Sequence, residues 1–109
     1  MARAGIVLFN GVVAGFIVED ADGYQFAYDE LYLHRSESVP LSAALPLRRE
    51  PFFSRTMIPF FDGLIPEGRS LENAVHTWKL DPQDRMGLLL VCCKESEGPV
   101  SIIPLPQPL

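Results

Sequence analysis

GIVLFNGVVAGFIV, residues 5–18, decides the fold class. Two β-rich runs, Gly5–Phe9 and Val12–Val18, flank the pair Asn10-Gly11. Both turn residues tolerate the positive φ that a tight two-residue connection needs, so the stretch reads as a β-hairpin. A second turn, Asp20-Ala21-Asp22-Gly23, leads into Tyr24-Gln25-Phe26-Ala27-Tyr28, where aromatic residues recur at every second position. That period puts them on one buried face of a strand. The first third of the chain is therefore a three-stranded meander.

Downstream, Asp29–Arg35 is long enough for one or two helical turns only. Val39–Pro46 alternates apolar and small residues between two prolines. Proline cannot donate to a ladder, so this reads as a short strand near a sheet edge. The period then changes. Pro59 must fall in the first turn of its helix, which puts an N-cap at Thr56, helical spacing at Ile58, Phe61, Leu64 and Ile65, and the end at Pro66. A second helix spans Ser70–Lys79, with Leu71, Ala74, Val75 and Trp78 on one face. A third starts with Asp81 as cap and Pro82 at the first helical position, and presents Met86, Leu89, Leu90 and Cys93 as its apolar stripe. After the loop Glu95–Gly98, the run Pro99–Ile103 reads as a closing strand, and Pro104–Leu109 as a loose tail. The order implies one α+β domain over residues 1–109. Its core layer is a small, mostly antiparallel, curved five-stranded sheet with about three helices packed on it.

Composition narrows the function. With 48% hydrophobic and 21% charged residues the chain can offset its ordering entropy by burial. The net charge of -5 is the wrong sign for a nucleic-acid surface. No apolar run is long enough to span a bilayer or to act as an export signal, so the expected location is the cytoplasm. Cys92 and Cys93 are neighbours, poorly placed for a mutual disulfide, and read as free thiols. Nucleophile, phosphate-binding and zinc motifs are missing, and His34 and His76 have no partner at ligand spacing. Neither a catalytic site nor a cofactor or metal site is expected. The charges are uneven: Glu19, Asp20, Asp22, Asp29 and Glu30 are acidic, whereas Arg48, Arg49, Arg55 and Arg69 make the middle basic. A docking dipole would use that asymmetry, although a solvated surface is the plainer reading.

Apolar material stands out between Pro51 and Pro66. Phe52, Phe53, Met57, Phe60, Phe61, Leu64 and Ile65 crowd a short span. Adjacent helical residues point about 100° apart, so one helix face cannot bury both Phe60 and Phe61. Part of this set should lie near the surface as a partner-binding ridge, since exposed apolar patches mark interfaces.

Several segments in series carry a family resemblance: the Asn10-Gly11 hairpin, Val39-Pro40-Leu41-Ser42-Ala43-Ala44-Leu45-Pro46-Leu47, Pro59-Phe60-Phe61-Asp62-Gly63-Leu64-Ile65-Pro66-Glu67-Gly68, Trp78-Lys79-Leu80, Arg85-Met86-Gly87-Leu88-Leu89 and Gly98-Pro99-Val100-Ser101-Ile102. Over about residues 5–104 the chain resembles the N-terminal subdomain of HipA-type serine/threonine kinase toxins. It ends where the kinase body of those proteins would begin. A free-standing copy resembles HipS, the small third component of tripartite HipBST toxin–antitoxin systems, which neutralises the separate kinase HipT. The resemblance implies an antitoxin that docks on a HipA-like kinase of the HipT type, with a DNA-binding HipB-type protein as a further member of the complex. It also implies a central contact at Pro66, Glu67, Gly68, Arg69 and Ser70, supported by Leu64. In the family a bulky side chain near this turn reaches toward the kinase. Here Arg69 follows the glycine, so an ion-paired contact replaces a simple wedge. Two other readings remain open: a non-inhibitory stabilising domain left from a fused kinase, and a domain that self-associates or binds a small ligand.

Overall fold

A computed structural model describes residues 3–94 and 98–105. In chain order its elements are β1 (Arg3–Phe9), β2 (Val12–Asp20), β3 (Gly23–Tyr28), α1 (Glu30–His34), β4 (Phe52–Ser54), α2 (Pro59–Asp62), α3 (Gly68–Trp78), α4 (Arg85–Cys92) and β5 (Val100–Pro104). The strands form one antiparallel sheet in the order β4-β3-β2-β1-β5. The expected meander is present. Asn10 and Gly11 turn the first hairpin with φ of 50° and 81°, the left-handed values that this residue pair permits. Asp20 closes the second turn by accepting bonds from the backbone N–H groups of Asp22 and Gly23. Between β1 and β2 the register shifts, leaving Ala14 as the extra residue of a bulge. Its carbonyl accepts from Asp29 N–H at 2.8 Å, which ties the end of β3 back to β2.

One core lies between the sheet and the helices. Val7, Ile17, Phe26 and Ile102 face Phe61, Ile65, Met86, Leu88 and Leu89, all buried. Phe26 is central: its ring meets Phe61 at 5.2 Å and Tyr28 at 4.9 Å. Leu88, outside the expected stripe of α4, is fully buried, while Leu90 is only half-buried.

The fourth strand is not where the alternation placed it. Val39–Pro46 is irregular, and β4 comes later, at Phe52–Ser54. Two tyrosines replace the ladder that Val39–Pro46 would have needed. Tyr28 Oη donates to Leu45 O and accepts from Leu41 N–H at 3.0 Å. Tyr32 Oη donates to Val39 O at 2.7 Å. Buried backbone groups need partners, and phenols supply them without a strand.

Helix starts also shift. Thr56 does not cap α2; Ile58 is the N-cap and Pro59 takes the first position, where its missing N–H costs nothing. The element is four residues long. Asp84, not Asp81, caps α4 by accepting from Gly87 N–H at 3.1 Å. Asp81 makes a preceding turn, accepting from Gln83 N–H at 2.8 Å. Helix α3 begins at Gly68, two residues before the expected start. At the other end β5 runs through Pro104, and Leu105 N–H donates to Ala4 O at 2.9 Å, so the first two residues of the expected tail are held to β1. Residues 106–109 of that tail and 95–97 of the expected loop lie outside the described residues.

Arg3 joins three elements. Its Nε donates to Glu19 at 2.7 Å, and its two terminal nitrogens bind both oxygens of Asp84 at 2.9 and 2.7 Å. Bidentate geometry makes this stronger than an ordinary surface pair. The Arg3 hydrogen bond holds the Asp84 carboxyl below its usual range. A depressed carboxylate contributes stability above the ordinary value and loses it as pH falls through the folded one. Acid unfolding of Asp84→Asn should therefore lack a step that the native chain shows below about pH 4, followed by circular dichroism. Tyr28→Phe should lower stability by about 1–3 kcal/mol in urea unfolding, because it strands Leu41 N–H and Leu45 O inside the fold.

Candidate binding site

The chain leaves α2 through Gly63 and Leu64 and reaches α3 at Gly68. Local bonds wind this connection tightly: Leu64 N–H donates to Phe61 O at 3.0 Å and Ile65 N–H to Asp62 O at 3.2 Å. Ile65 is the anchor, 2% exposed within the core. Leu64 O accepts from the Cys93 thiol at 3.5 Å, joining the turn to the end of α4. Arg85 on α4 binds Asp62 on α2 at 2.6 Å from the other side. The turn is thus clamped at its base.

Its rim is free. Leu64 and Pro66 are half-buried, while Glu67, Gly68, Arg69 and Ser70 are all exposed. Pro66 ends the preceding backbone pattern, and Gly68 adopts φ +59°, with nothing within 4 Å of where a Cβ would sit. A β-branched residue there would meet backbone strain rather than a clash. Among the described residues, no hydrogen bond or ion pair from the side chains of Glu67, Arg69 and Ser70 reaches the rest of the chain. Five of the candidate residues, Pro66 to Ser70, are thus one consecutive, largely exposed stretch that carries two opposite charges two residues apart, with half-buried Leu64 at its base.

The apolar ridge divides between core and surface, on β4 by strand alternation and on α2 by the angle between Phe60 and Phe61. Phe61, Met57 and Ile65 are buried, Phe52 and Phe60 are half-buried, and Phe53 is 56% exposed. Helix α3 departs from expectation. Its stripe of Leu71, Ala74 and Val75 is only half-buried, and Trp78, expected on the packed face, is 64% exposed. No residue of α3 is fully buried. The amphipathic period was readable, but how closely the helix is laid on the core was not.

Elsewhere no chemistry converges. Among the described residues no group of three or more His, Cys, Asp and Glu could hold a metal ion, and no helix is long and apolar enough to cross a membrane. Cys92 and Cys93 are free thiols. Burial pushes Cys93 up to about 11, which leaves it protonated and unreactive near neutrality. His34 binds the Glu30 carbonyl through Nδ1 at 2.8 Å, a local helix contact.

Comparison with known proteins gives a consistent answer. Residues 5–103 match the family model described as HipA N-terminal domain. A solved structure described as the N-terminal domain of HipA toxin superposes with a TM-score of 0.72 at 28% identity, covering 97% of this chain and 95% of that one. An uncharacterised protein of Haemophilus influenzae is 31% identical over 94% of this chain and 92% of its own length. A Sinorhizobium fredii protein with the provisional name kinase Y4mE is 33% identical over 93% of this chain, which spans only 27% of that protein.

Anchor and rim should separate on mutation. Ile65→Ala should cost about 2–5 kcal/mol by urea unfolding, whereas Glu67→Ala and Arg69→Ala should each stay within about 0.5 kcal/mol of the native chain.

Proposed function

Because the chain belongs to the HipA N-terminal domain family, we propose that it is a non-catalytic antitoxin-like module, docking on and neutralising a HipA-like serine/threonine kinase of the HipT type. The observation that carries this reading is the Pro66–Ser70 turn: a base anchored in the core bearing an exposed carboxylate and guanidinium with no hydrogen-bond or ion-pair partner among the described residues. Charges left unpaired on a preorganised surface cost little in the free protein and are available to a partner. Leu64 and Pro66 supply the apolar part of the contact. Work in the cytoplasm, and assembly with a DNA-binding HipB-type protein, complete the proposal.

A second reading has its own support. In the kinase-named relative the matching region is a part of one long chain, as it would be for a domain that stabilises its kinase without inhibiting it. Rescue and binding separate the two. Co-expression with a HipT-type kinase should restore growth under the proposed function, whereas a stabilising domain would bind the kinase without rescue. Glu67→Ala combined with Arg69→Ala should weaken kinase binding about tenfold or more with an unchanged melting curve. A folded double mutant that still binds and rescues at native strength would remove the turn from the interface.

A further inference from the structure

Strand β4 ends the sheet, and its three residues pair with β3 on one side only. Among the described residues, no backbone group of Phe52, Phe53 or Ser54 bonds beyond that ladder. Such an edge is a template for another strand unless it is blocked. Beside it runs a groove of about 290 Å³, lined by Leu45, Phe52, Ile58, Pro59 and Phe60 among others. Phe53, 56% exposed, borders both this groove and the shallower hollow beside Arg55.

Both ends of the edge are basic. Arg48 lies over the Phe52 ring, its Cζ 3.8 Å from the centroid, held there by bonds to the carbonyls of Glu50 and Pro51 at 3.1 Å each. Arg55 directly follows Ser54 and shares a shallow hollow with Phe53, Ala21 and Asp22. Neither guanidinium has a carboxylate partner within ion-pair distance among the described residues, whereas the neighbouring Arg49 reaches Glu30 at 3.5 Å. In a chain of net charge -5, this apolar edge carries two guanidinium groups that have no ion-pair partner among the described residues, although Asp22 borders the hollow of Arg55.

We propose that β4 takes up an extended acidic segment of another protein by strand addition, with apolar side chains at alternate positions entering the groove and carboxylates meeting Arg48 and Arg55. Three residues offer too few backbone bonds to hold a segment alone, so the groove and the two arginines supply selectivity. None of these residues belongs to the Pro66–Ser70 turn, and the inference stands independently of the kinase reading.

The test uses the full chain, isotope-labelled for NMR, titrated with the acetylated peptide EVEFEVE and its lysine counterpart KVKFKVK. The acidic peptide should saturate with shifts centred on the Phe52–Ser54 amides. It should bind about tenfold or more tightly than the lysine peptide, and weaken as salt rises. Arg48→Glu with Arg55→Glu should lose about tenfold or more of that affinity, with the dispersion of the remaining spectrum unchanged. Equal binding of both peptides, shifts mapping away from β4, or no saturable shift up to about 1 mM would overturn the proposal. Concentration-dependent self-association through the β4 amides without peptide would overturn it too, by making a second copy the occupant.

Discussion

The hydroxyl of Tyr28, at the end of β3, organises the part of the chain that has no regular structure of its own. It donates to Leu45 O and accepts from Leu41 N–H, and Leu41 and Leu45 are buried on either side of those bonds. Burial pushes this phenol above its ordinary range, so the proton that makes the bond to Leu45 is retained. Tyr32 stacks on Tyr28 with centroids 6.0 Å apart and captures Val39 in the same way. Residues between α1 and β4 are thereby folded over one end of the sheet instead of looping into solvent. Everything beyond them inherits that placement: β4 meets β3, and α2 brings Phe61 onto Phe26.

A second constraint fixes the helices. Arg3 binds Glu19 within the sheet and Asp84 at the start of α4, and Asp84 caps that helix at the same time. Arg85, the next residue, binds Asp62 at the end of α2. Two successive side chains thus connect the sheet, α4 and α2. The turn that follows α2 rests on this frame through Ile65 and the Leu64 carbonyl, while its charged rim takes no part in it. Rigidity below and unused polarity above are what a recognition surface needs. Helix α3, by contrast, lies outside the frame, with no residue fully buried and its tryptophan in solvent.

The candidate turn was readable because proline and glycine carry their constraints locally. Pro66 and Gly68 mark a break whatever surrounds them, and Gly68 indeed has φ +59°. The exposure of Glu67, Arg69 and Ser70 follows from their chemistry. The edge of β4 was not readable. Phe52 and Phe53 looked like general apolar material, and nothing in their spacing said that both would border a groove, one half-buried and the other largely exposed. Arg48 on the Phe52 ring depends on a bend in the chain between them that no pattern announces.

The same division holds for the fold. Asn10-Gly11 and the alternation of Tyr24, Phe26 and Tyr28 determined the meander, because turn conformation and strand period are properties of neighbouring residues. Val39–Pro46 shows the limit: its alternation was real, yet tyrosine hydroxyls far away in sequence claimed the backbone groups that a ladder would have used. Pro82 looked like a helix start, but Asp84 could answer both Gly87 and Arg3, and the long-range bond selected it as cap. Local chemistry determined which elements form. Which backbone groups find distant partners, and so where each element starts and which sheet edge stays open, was decided only when the chain folded.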